Sequence, residues 1–101
     1  MSIMIEDKHF EIVKKVLSKV VQNKEFAVFV YGSRVKHNAA KYSDLDLAIS
    51  YGSEKFPLQD MTKLLFEFEE SLLPYKVDIV DLNSISTSFK NAINDDLIRI
   101  F

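Results

Sequence analysis

The chain has no cysteine, only two glycines and two prolines, and no long apolar run. Without cysteine there is no disulfide framework and no thiolate metal site, which suits a reducing compartment. So little glycine and proline leaves nothing from which to build a flexible linker, and no repeat or low-complexity tract interrupts the 101 residues. No apolar stretch approaches the ~20 residues a transmembrane helix needs. The first residues already carry Glu6 and Asp7, so they lack the apolar core of a signal peptide. A cytoplasmic protein with no membrane association is the expectation. An excess of basic charge is missing too: Lys plus Arg is 13 against 15 for Asp plus Glu, a net charge of −2. Proteins that live on duplex nucleic acid usually show a basic stripe, so direct nucleic-acid binding is not expected.

What is present is the balance of an ordinary globular protein, with 48% hydrophobic and 28% charged residues. Residues 1–101 read as one domain. Phe10, Val13, Leu17 and Val20 recur at helical steps, with Val16 and Val21 beside them, and predict an amphipathic helix over 9–21. Asp7 is its expected N-cap, and Asn23 its expected end. Phe26 to Tyr31 is a continuous apolar, β-branched and aromatic run, read as a strand covered on both faces, and Gly32 ends it. Leu45 to Tyr51 is a second strand, with Leu45, Leu47 and Ile49 on one face and Asp46 and Ala48, in line with Asp44, on the other. Pro57 to Leu72 predicts a second long helix with Leu58, Met61, Leu65, Phe68 and Leu72 as its core stripe; Phe66 and Leu73 lie off it. Lys76 to Leu82 is a third strand in which Asp78 and Val80 share a face, and Asp81 reads as a turn residue near its end. Ser84 or Ser86 can cap a last helix carrying Phe89, Ile93 and Leu97. The order predicts an α/β or α+β domain with one small sheet and helices mainly on one face.

Three acidic residues stand out by position. Side chains two apart on a strand point the same way, with Cα atoms ~6.6 Å apart, so Asp44 and Asp46 can lean toward one hard cation. Unpaired, two such carboxylates repel each other, and partial burial makes their ionisation costly. Asp78, on the third strand, is expected to come alongside. A lone Asp-x-Asp is more often a solvated strand edge, but here another element precedes it. The first strand runs into Gly32, Ser33 and Arg34. Glycine permits a sharp turn and close approach, a helix start offers free N–H groups to phosphate, and arginine can grip phosphate oxygens in a fork. A phosphate-gripping turn feeding a metal-gripping strand is what metal-assisted attack on a nucleoside triphosphate requires.

The stretch Val30-Tyr31-Gly32-Ser33-Arg34, followed by Ser43-Asp44-Leu45-Asp46-Leu47 and later by Val77-Asp78-Ile79-Val80, resembles the signature of the polymerase-beta-like nucleotidyltransferase superfamily. The short chain points to its minimal nucleotidyltransferases (MNT), often paired with an all-helical HEPN protein as toxin and antitoxin. The likeness covers about residues 26–82. It implies the polymerase-beta-like core with a small mixed sheet. It implies that Asp44, Asp46 and Asp78 hold Mg²⁺ and carry the catalysis, and that Gly32, Ser33 and Arg34 bind the nucleotide's phosphates. It implies transfer of AMP from ATP to a hydroxyl, a tyrosine on the HEPN-type partner, which silences the toxin. An alternative from the same resemblance is a non-catalytic antitoxin that neutralises its helical partner by contact alone. One position departs from the family's pattern: His37 stands where a glycine is usual, so a loop of positive φ would be held there by a histidine. His9 reads as a plain helix-surface residue.

Overall fold

The computed structural model describes residues 3–21 and 26–101. The chain runs α1 (Asp7–Val20), β1 (Phe26–Tyr31), α2 (Ser33–Lys36), β2 (Leu45–Tyr51), α3 (Leu58–Glu69), β3 (Val77–Asp81), α4 (Thr87–Ile93), a 3₁₀ turn (Asn94–Asp96) and β4 (Ile98–Arg99). Among the described residues the strands form one sheet in the order β3-β2-β1-β4. β1 pairs antiparallel with β2 and β4, and β2 pairs parallel with β3 through the α3 crossover. The sheet is therefore mixed, as expected.

Strand alternation sorts the sheet into two faces. On one, Val28, Val30, Leu45, Leu47, Ile49 and Val77 are buried against Val13, Val16 and Leu17 of α1 and Leu64 and Phe68 of α3. β1 is buried at Val28, Val30 and Tyr31 and β2 at Leu45, Leu47, Ala48 and Ile49, so burial is complete only on the helix-covered face and toward the middle of the sheet. On the other face a smaller cluster joins Tyr31, Ala48, Leu82 and Ile93, so α4 covers part of that side. The remainder, near Asp46 and Asp78, is only partly buried.

Several boundaries differ from the periodicity reading. Asp7 is the first helical residue of α1 and not its cap; Glu6 occupies the cap position without a side-chain bond to the helix. The expected end at Asn23 lies outside the described residues. α3 is shorter than expected and turned in phase. Its buried positions are Leu64 and Phe68, whereas Leu58, Leu65 and Leu72, expected in the core, are 80%, 40% and 88% exposed. A one-residue shift rotates a helix by about 100°, enough to carry Leu65 out of the core and Leu64 into it. The helix ends before Pro74 because the Ser71 hydroxyl donates to the Phe68 carbonyl at 2.6 Å, occupying one of the last carbonyls. Leu73 packs against the core while Phe66 stays exposed.

The last helix is capped by Ser86, whose Oγ accepts from Phe89 N–H at 3.1 Å. It stops at Ile93, so Leu97 is not part of it. Asn94, Asp95 and Asp96 are weak helix formers, and the chain turns back to place Ile98 opposite Val30. The β4 strand is absent from the sequence reading because two residues give too short a run for period two to show.

Asp81 holds the far end of β3. Its carboxylate accepts from Phe56 N–H at 2.7 Å, Asn83 N–H at 2.9 Å and the Ser84 hydroxyl at 3.0 Å. It is an anchor for the α3 approach as well as the turn residue expected. His9, read as a surface residue, instead packs edge-on against Tyr75 with ring centroids 5.4 Å apart.

The phase of α3 can be checked by stability. Leu64→Ala, at a fully buried position, should cost about 2–5 kcal/mol. Leu65→Ala should cost less than about 1 kcal/mol. Urea denaturation of the two variants measures both; a larger loss at Leu65 would contradict the phase described.

Candidate active site

The site is set by register. Tyr31 on β1 lies opposite Asp46 on β2, and Asp46 lies beside Asp78 on β3. All three belong to the less covered face, so they form a row across three strands. Asp44 is exposed and sits just ahead of β2, whose bounds are those expected. Leu45 N–H nonetheless donates to the Lys76 carbonyl at 2.9 Å, which ties the approach to β2 to the approach to β3.

The bend after β1 closes on this row. Gly32 has φ 81° and ψ −150°, which side-chain-bearing residues rarely adopt. A Cβ at Gly32 would lie 2.6 Å from Asp46 Oδ2. Glycine is thus needed twice over, for its conformation and for the space its missing side chain leaves beside the carboxylate. Ser33 follows as the first residue of the single-turn helix α2, where backbone N–H groups lie beyond the reach of intrahelical acceptors. His37 ends α2 at φ 60° and ψ 32° with its N–H donating to the Ser33 carbonyl. It takes up the left-handed conformation that a glycine would, one that histidine tolerates better than most residues. The departure from the family pattern therefore leaves the turn in place.

Arg34 has a different job from the one expected. It is 5% exposed. Nη1 donates to the Met4 carbonyl at 2.6 Å, Nη2 to the Ser43 carbonyl at 2.6 Å, and the guanidinium lies 4.0 Å from the Tyr75 ring centre. With both terminal nitrogens on backbone carbonyls, its fork is turned to the protein and not offered to a ligand. It fixes the N-terminal segment and the loop leading to Asp44, and its charge reaches Asp46 as a field.

That field is outweighed. Burial first, then the Asp78 and Asp44 carboxylates, push the Asp46 carboxyl above its ordinary value, with Arg34 opposing. The Tyr31 hydroxyl is likewise raised, by burial and then by Asp46 and Asp78. Tyr31 and Lys76 were missed in the sequence reading. Lys76, just ahead of β3, pairs with Asp78, Nζ to Oδ1 at 3.4 Å, and its spacing of two from Asp78 was a signal for it. Tyr31 was legible only through register.

The donor set suits a hard divalent cation. Carboxylate oxygens are its preferred ligands, and the repulsion that raises Asp46 is what such an ion relieves. Among the described residues no three His, Cys, Asp or Glu side chains gather closely enough to cage an ion by themselves. Mg²⁺ is commonly held by one or two carboxylates together with substrate phosphates and water. The residues fit the group with the nucleotide as part of the site.

A carboxylate pair beside a glycine bend on an open sheet face belongs to the class of nucleotide-transferring folds. Residues 11–101 match the family described as polymerase beta, nucleotidyltransferase, and the chain belongs to that family. It is a nucleotidyltransferase by that membership. It is 39% identical over 89 residues to the Haemophilus influenzae protein named "Probable protein adenylyltransferase MntA", covering 88% of this chain and 75% of that one. A crystal structure of a toxin–antitoxin with AMP-PNP matches with TM-score 0.72 at 20% identity, over 91% of this chain and 72% of that chain, a likeness of fold. A chain described as a minimal nucleotidyltransferase matches with TM-score 0.67 at 26% identity, over 92% of this chain and 90% of that one. The polymerase-beta-like fold expected from the sequence is thus the fold observed. No helix among the described residues is long and apolar enough to cross a membrane.

Two outcomes follow from the geometry. Gly32→Ala should destabilise the chain by about 1–3 kcal/mol and abolish binding of AMP-PNP, measured by thermal melting and calorimetric titration. Because the folded state holds the Asp46 proton more tightly than the unfolded chain, stability falls as pH rises from the ordinary aspartate value through the raised one. Asp46→Asn should therefore melt at a higher temperature than wild type at pH 7 without divalent cations. At pH 3, below both values, the gain should vanish. A lower melting temperature at pH 7 would contradict the crowding described.

Proposed function

We propose that this chain is an Mg²⁺-dependent protein adenylyltransferase that moves AMP from ATP to a side-chain hydroxyl of a toxin partner and thereby acts as its antitoxin. The observation that carries the reading is the side-by-side register of Asp46 and Asp78 with the Gly32 bend against Asp46. Support for the adenylyl group and the partner comes from the named function of the Haemophilus relative and from the toxin–antitoxin structure with AMP-PNP.

In this reading residues 1–101 act as one catalytic domain. Gly32 and Ser33 present backbone N–H groups to the β- and γ-phosphates. Asp44 and Asp46 would hold Mg²⁺, and Asp78 would complete the metal site. When bound, Mg²⁺ neutralises phosphate charge and lowers the cost of charge developing on the leaving group. Asp78 accepts the proton of the attacking hydroxyl. The hydroxyl oxygen then bonds to the α-phosphorus, the bond to the β-phosphate oxygen breaks, and pyrophosphate leaves. Lys76 holds Asp78 in place until the acceptor arrives. Arg34 acts through the loop it fixes. The partner is an all-helical HEPN-type protein, the acceptor its tyrosine, and the setting the cytoplasm.

The experiment is to co-purify the chain from its native host, incubate with ATP and Mg²⁺, and weigh the partner intact. A shift by whole AMP units on the partner is expected, lost in Asp46→Asn and reduced at least a hundredfold in rate in Asp78→Asn. A shift that survives Asp46→Asn would overturn the metal-held site. Protection of cells by the triple aspartate variant as strong as by wild type would favour neutralisation by contact.

A further inference from the structure

β3 ends the sheet, and among the described residues nothing pairs with its outer edge. Between the C-terminal half of α3 and the start of β3 lies a cavity of about 650 Å³, a volume typical of pockets that bury small groups. Leu65, Phe68, Leu73 and Val77 form its apolar side, and Glu69, Tyr75, Lys76 and Asp78 its polar side. Leu65 is 40% exposed there. The phase of α3 leaves Leu65 outward while Phe68 is buried.

The position of this groove relative to the acidic row decides what it takes. The Gly32 bend lies on the β1 side of Asp46, and Asp78 lies on the β3 side. In a displacement at phosphorus the attacking and leaving oxygens are roughly in line. Phosphates held at the bend therefore send the leaving group away on the β1 side and admit the attacking hydroxyl from the β3 side, where the groove opens. Its charge selects further. Glu69 and Asp78 contribute carboxylates, and Lys76 is already paired with Asp78. A nucleic-acid chain would bring phosphates against the Glu69 and Asp78 carboxylates, whereas a protein segment can set apolar side chains on the Leu65, Phe68, Leu73 and Val77 side and keep polar groups on the other.

Resting on the adenylyltransferase reading above, we infer that the groove between α3 and β3 seats an apolar segment of the acceptor protein and delivers the hydroxyl it carries to Asp78. Leu65 is then a specificity determinant for the acceptor and takes no part in holding the nucleotide. Leu58, equally apolar and 80% exposed at the other end of the same helix, lies outside the groove and has no such part.

The test uses the full chain, ATP with Mg²⁺, and the acceptor protein identified by its mass shift. Leu65→Glu should raise KM for the acceptor at least tenfold while the affinity for AMP-PNP stays as in wild type. Leu65→Met should restore KM, and Leu58→Glu should leave it unchanged. An unaltered KM in Leu65→Glu, or an equal loss in Leu58→Glu, would overturn the groove while leaving the adenylyltransferase reading intact. Wild-type transfer of AMP to an RNA, or to no acceptor, would remove that reading and the groove with it.

Discussion

Everything in this molecule is arranged around one unfavourable contact: two aspartate side chains, Asp46 and Asp78, held next to each other on neighbouring parallel strands. Parallel pairing fixes the neighbour relation residue by residue, so neither can withdraw without breaking the ladder. Burial and the nearby Asp44 deepen the conflict, and Arg34 offsets it only in part. Like charges at such positions destabilise a fold unless something binds between them. Groups with shifted proton affinity in an open cleft are where function is found. Burial in the rest of the core offsets the cost of that contact.

The scaffold that bears this cost is conventional. Val13, Leu17, Leu64, Leu45, Leu47 and Ile49 form a dry layer between α1, α3 and the sheet, so the strands cannot slide. Asp81, with its three hydrogen bonds, pins the far end of β3. Arg34 pins the near end by gathering the Met4 and Ser43 carbonyls. Support at both ends fixes the Gly32 bend against Asp46. The same architecture leaves the β3 side of the row uncovered, which is where the α3 groove meets it.

Much of this was readable from residue order. The three longer strands and the acidic pattern survive almost unchanged, because unbroken β-branched runs and the Gly-Ser bend are local signals. What failed depended on partners distant in sequence. The phase of α3 was misjudged because Leu64, Leu65 and Phe66 are all apolar, and only the sheet decides which of them is buried. β4 was invisible because its two residues exist as a strand only against β1. Arg34 looked like a phosphate ligand by proximity to Ser33, yet the carbonyls that claim it come from residues 4 and 43. The second strand was read with the bounds it has, so Asp44 lies just ahead of it and only Asp46 within it. His37 was correctly placed at a turn needing positive φ, and its consequence for the loop could be judged only from the backbone.

The central claim is that the acidic row and the glycine bend form one nucleotide site. A crystal structure with AMP-PNP and Mn²⁺, read from the anomalous signal of the manganese, tests this most directly. The account requires manganese on Asp46 with the triphosphate lying against Gly32 and Ser33. Manganese elsewhere, or phosphates bound away from the bend, would contradict it.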